Sequence, residues 1–275
     1  MKNSLKLVAL VLCLVMALCS FVACDNEKAE NTTPAETKQE ETKDIAEEPA
    51  KEVTDKKVIK MGTNAAFPPY ESKEGDEFVG IDVEIAQAIA AELGCELEIV
   101  DMEFDSIIAA VNQGEVDFGM AGMTVTEERL QEVDFTVSYA TGVQSVIVKE
   151  GSEIATIEDL KDKKIGVQLG TTGDIYASGD YGEENVIKYG KGADAVIALN
   201  GGDVDAVIID NEPAKAFVAE NAGLAILDTE YAVEDYAIAI KKGNTELLDN
   251  VNAALETLTA NGTIDAIIAK FIKAE

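Results

Sequence analysis

Asn112-Gln113-Gly114-Glu115-Val116-Asp117 recurs as Asn200-Gly201-Gly202-Asp203-Val204-Asp205. Each copy follows a short apolar helical stretch and runs into an apolar strand, Val116 to Met120 in one case and Val207-Ile208-Ile209 in the other. A second echo lies upstream of each. Lys57-Val58-Ile59-Lys60-Met61-Gly62-Thr63 is answered by Lys164-Ile165-Gly166-Val167-Gln168-Leu169-Gly170-Thr171, each read as a strand running into Gly-Thr. The chain therefore holds two similar α/β units of roughly 90 residues, too long a period for a solenoid and suited to two lobes facing a cleft. Between the echoes, Val83, Ile85, Ala86, Ile89, Ala90 and Leu93 recur at helical spacing, and Leu97 to Val100 reads as a strand. At the far end, Leu247, Val251, Leu255 and Leu258 share one helical face. A break at Asn261-Gly262 separates them from a second helix carrying Ile264, Ile267, Ile268 and Phe271.

The residues before this region belong to other tasks. Met1 to Lys6 carries two lysines and no acid, Leu7 to Leu18 is almost wholly apolar, and small residues follow. That pattern is a secretory signal over 1–24. Phe21-Val22-Ala23-Cys24 resembles the lipobox of bacterial lipoproteins, with Phe21 where Leu is usual, and it marks Cys24 for lipidation. Residues 25–56 alternate Glu, Lys, Thr, Ala and Pro with few large apolar side chains, the composition of a flexible acidic tether. Removing the leader's two lysines from 22 basic residues leaves 20 against 53 acids, a net charge of −33. Such a polyanion does not bind nucleic acid through phosphate contacts, and its field favours cations. Beyond the leader and Cys24 only Cys95 remains, read as a small buried residue, so no internal disulfide is expected. With no His and no Cys cluster, neither a metal site nor a cofactor is expected.

In open α/β sheets ligands bind beyond the carboxyl ends of strands, which directs attention past Met61, Met120, Leu169 and Ile209. Arg129 is the only arginine; the other 21 basic residues are lysine. A planar fork kept at one position suits bidentate carboxylate binding, although Thr126-Glu127-Glu128-Arg129 also reads as a surface helix. Gly170-Thr171-Thr172-Gly173 precedes a helical turn, where free amides favour an anion; a plain capped turn is the competing account. Asp210 ends a buried strand, so its carboxylate needs either a ligand ammonium or a helix to cap. Phe67 and Phe104 follow strands and can cover a ligand's apolar or cationic part, or simply pack in the core. Gly190-Lys191-Gly192-Ala193-Asp194-Ala195 fits a dinucleotide fingerprint, but the repeat accounts for it better.

These motifs together resemble the solute-binding proteins of polar-amino-acid ABC importers, over nearly all of 57–273. The resemblance rests on Gly80-Ile81-Asp82-Val83-Glu84-Ile85, on Gly62 to Tyr70 with its Asn64-Ala65-Ala66-Phe67-Pro68-Pro69 core, and on Glu103-Phe104-Asp105-Ser106-Ile107-Ile108. Met123-Thr124-Val125-Thr126-Glu127-Glu128-Arg129 and Gly166 to Thr172 complete it. It implies an α/β, two-lobed, periplasmic-binding-protein-like fold (type II) with a ligand cleft between lobes and two hinge crossings. Lobe 1 would be 57–142 plus 237–275, and lobe 2 would be 143–236. It implies that Arg129 binds an α-carboxylate, helped by Gly122, Thr124 and the Thr171 and Thr172 amides. Asp210 would take the α-ammonium, Phe67 and Phe104 would sandwich the side chain, and Asn64 and Gln168 would read its tip. The implied protein is a monomeric, non-enzymatic component of an amino-acid ABC importer, lipid-anchored outside the cytoplasmic membrane and working with a permease. It binds a free polar or cationic L-amino acid, arginine foremost. A ligand-sensing ectodomain for a receptor and a cyclohexadienyl-dehydratase-like enzyme are the alternatives; the second lacks any His or obvious acid/base pair.

Overall fold

The computed structural model describes residues 57–228 and 230–273. The expected signal, the tether and Cys24 lie outside the described residues. In chain order the first lobe opens with β1 (Val58–Thr63), the hairpin β2 (Ser72–Glu74) and β3 (Glu77–Val79), α1 (Ile81–Glu92) and β4 (Glu96–Asp101). There follow α2 (Ile107–Gln113), β5 (Phe118–Gly119), α3 (Arg129–Glu132) and β6 (Val133–Phe135). The second lobe comprises β7 (Ala140–Lys149), β8 (Ile165–Gln168), α4 (Thr172–Tyr181), β9 (Val186–Tyr189), α5 (Gly192–Gly201), β10 (Ala206–Asp210), α6 (Asn211–Glu220), β11 (Leu224–Ile226) and β12 (Ala232–Tyr236). The chain then returns to the first lobe as β13 (Ala239–Lys241), α7 (Thr245–Ala260) and α8 (Thr263–Phe271).

Two sheets divide the molecule. One has the order β4-β1-β5-β13-β6; the other runs β11-β7-β10-β8-β9, with β12 paired to β7. The repeat is structural. In the first sheet β4, β1 and β5 lie side by side and parallel, and in the second β9, β8 and β10 do the same. The recurrent Asn-x-Gly-x-Val-Asp now has a physical account. Gly114 and Gly202 end α2 and α5 in the left-handed conformation, at φ 76° and 86°, which glycine enters without a Cβ clash. The aspartates that follow tie each helix exit to the first strand of its own unit. Asp117 accepts from the Lys60 amide at 2.7 Å, and Asp205 accepts from the Lys164 amide at 2.9 Å.

This equivalence corrects the register of the second echo. Lys60 corresponds to Lys164, so Gly62 corresponds to Gly166 and not to Gly170. Asn64 and Gln168 thereby become the same position in the two units.

Helix α1 buries Ile81, Ile85 and Ile89 completely, against Val251, Leu255 and Leu258 of α7 and Ile264 of α8. Each such side chain contributes about 1.5–3 kcal/mol over an exposed one. Strands β7 and β12 run antiparallel, with Ala140 opposite Tyr236 where the chain passes between sheets. The division expected at 142 therefore falls inside β7. Cys95 is half-buried at the edge of the first-lobe core rather than fully enclosed.

Candidate functional site between the lobes

Both units direct the ends of their parallel strands toward one cavity. Its lining includes Asn64, Phe67, Phe104, Gly122, Thr124, Arg129, Gln168, Thr171 and Thr172. Nine of the ten ligand-contact residues expected from sequence are thus brought together.

Three contacts close the cleft over it. Gln168 donates to Asn64 Oδ1 at 2.9 Å, so the equivalent residues of the two units meet each other. Arg129 donates through Nη2 to the Gly170 carbonyl at 3.0 Å, and the Thr124 and Thr172 hydroxyls lie 3.4 Å apart. Arg129 is buried at 6 % exposure, which sets aside the surface-helix account. Its Nη1 donates to its own lobe, to the Thr124 carbonyl at 2.7 Å, and its Cζ stands 5.3 Å from the centre of the Phe104 ring. Burial lowers its pKa from the usual arginine value while Glu234 opposes that shift; a guanidinium stays charged throughout the ordinary range.

Thr171 serves as the N-cap of α4, accepting from the Asp174 amide at 3.3 Å. The Gly-Thr-Thr segment is therefore a capped turn and part of the cavity wall at once. Gly122 has φ +51°, and a Cβ there would stand 3.1 Å from the Phe67 ring and 3.3 Å from Tyr236. A side chain would be strained at that angle and would crowd both rings. Its N–H donates to Asp82 Oδ2 at 2.8 Å, and Thr124 is bridged to Tyr236 of β12, which ties the loop to the hinge.

Asp210 stands apart from the other nine. It does not line the cavity. Its Oδ2 accepts from the Tyr236 hydroxyl at 2.5 Å and the Val143 amide at 3.0 Å, and its Oδ1 from the Glu212 amide at 3.2 Å, as the N-cap of α6. Burial raises its pKa to about 7, against the pull of those hydrogen bonds. The helix-capping account is what this geometry contains.

Sequence reasoning missed four lining residues: Glu71, Ala121, Gln144 and Tyr236. Glu71 follows Tyr70, where the motif was read as ending. It is fully buried, and neither carboxylate oxygen has a hydrogen-bond partner. Gln144 donates to Glu234 Oε2 at 3.0 Å, leaving its own Oε1 unpartnered, and Glu234 also accepts from Thr172 Oγ1 at 3.0 Å. An acid directly after an aromatic turn was a readable signal. Gln144 carried none: it lies in the middle of β7, a stretch with no motif around it. The segment resembling a dinucleotide fingerprint opens α5, the counterpart of α2, as the repeat required.

Comparison with known proteins agrees with this architecture. The chain is 36% identical over 230 residues to the arginine-binding extracellular protein ArtP of Bacillus subtilis (strain 168), covering 80% of this chain and 88% of the relative. Among solved structures, an ancestral arginine-binding protein bound to glutamine matches with a TM-score of 0.76 and 41% identity, covering 79% of this chain and 98% of that one. The ancestral protein bound to arginine gives 0.74 and 42%, covering 78% and 98%. The model of the bacterial extracellular solute-binding proteins, family 3, matches residues 59–274, and the chain belongs to that family.

Proposed function

We propose that the protein captures free L-arginine in the cavity between its lobes and delivers it to the permease of an ABC importer. The carrying observation is the polarity of the wall. The buried, unpartnered side-chain atoms that face the cavity are all acceptors: both oxygens of Glu71 and Oε1 of Gln144. A buried acceptor without a donor costs about 1–3 kcal/mol, more when charged. A ligand rich in N–H groups removes that cost, and a guanidinium brings five. In this reading the guanidinium lies against Phe67 and Phe104 and donates to Glu71, while Asn64 and Gln168 bound its tip. Arg129, Thr124 and the Gly122, Thr171 and Thr172 region receive the α-carboxylate. Contacts from both lobes to one ligand make closure depend on ligand. The relatives' names include arginine, histidine, glutamine and cystine binders, and this chain's Glu71 favours the cationic end of that range.

The protein acts as a monomer held by a lipid on Cys24 at the outer face of the cytoplasmic membrane. A thermal-shift screen of the common amino acids tests the ligand. Arginine should give the largest rise in Tm; stabilisation by acidic or small neutral amino acids, with none by arginine at the same concentration, overturns the assignment.

A further inference from the structure

The turn from Phe67 to Glu71 is closed by reciprocal backbone hydrogen bonds, Phe67 N to Glu71 O at 2.8 Å and Glu71 N to Phe67 O at 3.1 Å. The Asp82 amide donates to the Tyr70 carbonyl at 2.9 Å, which fixes that turn against the start of α1. Two carboxyl groups are thereby set side by side, Glu71 in the cavity wall and Asp82 behind it, both at 0 % exposure and within hydrogen-bonding range of each other. Their hydrogen bonds are unequal. Asp82 Oδ2 accepts from the Gly122 amide and from the Tyr139 hydroxyl, each at 2.8 Å. Glu71 Oε1 and Oε2 and Asp82 Oδ1 have no donor at all.

We propose that Glu71 carries a proton in the ligand-free protein, donating it to Asp82 Oδ1, and that an entering guanidinium displaces this proton, so that capture of a cationic amino acid releases one proton to solvent. Two adjacent buried carboxylates do not both ionise. The negative charge rests on Asp82, where two donors already stabilise it, and the proton on Glu71, where it supplies the donor that Asp82 Oδ1 lacks. The surroundings give Glu71 no other relief. Asp82 on α1 and Asp210 at the end of β10 oppose its ionisation, and Tyr70, Tyr139 and Tyr236 are neutral phenols. Burial, followed by the Asp82 charge, holds the Glu71 carboxyl well above the usual carboxylate range. On binding, the Glu71 O–H bond breaks, the proton passes to a buffer base, and the new carboxylate pairs with the guanidinium. Charge in the cavity is conserved, one cation for another. A neutral isostere takes hydrogen bonds from the same site but expels nothing from Glu71. Asp82 can retain that selectivity only while it keeps its own two donors.

The inference rests on the arginine reading above, and the experiment separates the two. Calorimetric titrations near neutral pH, in buffers of different ionisation enthalpy, count protons released on binding L-arginine and L-citrulline, which replaces the guanidinium by a neutral urea. Arginine should release about one proton more than citrulline, and its affinity should rise with pH where citrulline's does not. In Glu71→Gln, whose amide still donates to Asp82, the excess should vanish and arginine should bind more weakly. Equal proton counts for the two ligands in the wild type refute the inference while leaving arginine binding intact, as does an excess that persists in Glu71→Gln. Failure of arginine to bind refutes both readings. The wild-type comparison stands on its own if the variant does not fold.

Discussion

Replacing Arg129 by lysine keeps the charge and removes the fork. The guanidinium holds the Thr124 carbonyl with one nitrogen and the Gly170 carbonyl with the other, 2.7 and 3.0 Å away, and so spans the two lobes. An ammonium on a flexible stem reaches one of these positions, not both, and cannot meet a carboxylate through two parallel N–H bonds. Hydrogen bonds to charged groups contribute about 1.5–3 kcal/mol each, and truncating one partner of a buried pair costs about 2–5 kcal/mol. Arginine affinity in Arg129→Lys should therefore fall roughly 30-fold to several thousand-fold, close to the loss in Arg129→Ala. The planar stacking of the group 5.3 Å from the Phe104 ring centre is lost as well. Isothermal titration calorimetry with arginine on wild type, Arg129→Lys and Arg129→Ala measures it, with Tm of the ligand-free proteins reporting any loss of fold. A lysine variant within a few-fold of wild type would show that charge alone suffices, and the bidentate argument would be wrong.

Gly142→Ala should lower stability by about 1–3 kcal/mol, read as a drop in the urea midpoint. A Cβ there would stand 2.3 Å from the Tyr236 hydroxyl and 2.7 Å from Asp210, inside the hinge pairing of β7 and β12. Stability should also fall as pH rises through the range of Asp82 and Asp210, whose carboxyls are raised to about 6 and about 7 by burial. The folded state holds protons there that the unfolded state has already lost, so its advantage is complete below the unfolded values and is lost as pH rises through about 6 for Asp82 and about 7 for Asp210. Chemical denaturation across that range should show the decline, with a flatter profile in Asp210→Asn; an identical slope in the variant would acquit Asp210. Cys24→Ser should convert a membrane-associated protein into a shed one with unchanged arginine binding, and continued sedimentation with membranes would remove Cys24 as the anchor.

What the sequence disclosed, and where it stopped, follow from the range of the forces involved. The glycine–valine–aspartate repeat was legible because its causes are local: a left-handed helix exit, then a carboxylate returning to one strand amide. Arg129 was legible because composition isolates it. The register of the paired strands was not, since Gly62-Thr63 and Gly170-Thr171 look alike while only the Asp117 and Asp205 bonds show which residues correspond. That correction changes the chemistry of the site. It makes Asn64 and Gln168 one position duplicated, so the hydrogen bond between them joins equivalent positions of the two units across the cleft. Asp210 was ambiguous for a related reason: a carboxylate at a strand exit is equally suited to a helix cap and to a ligand. Nothing local decides between them. The decision lies with Tyr236, which arrives from β12 to occupy one oxygen, and with Gly142, whose missing side chain leaves room for it. Glu71 is the reverse case. Its identity was plain in the sequence, but its significance depends on Asp82 already having its donors, a fact created only when α1, the Gly122 loop and Tyr139 converge. The fold is thus written in short-range signals carried twice, whereas the selectivity proposed for the cavity rests on which buried acceptors remain without donors once both copies meet.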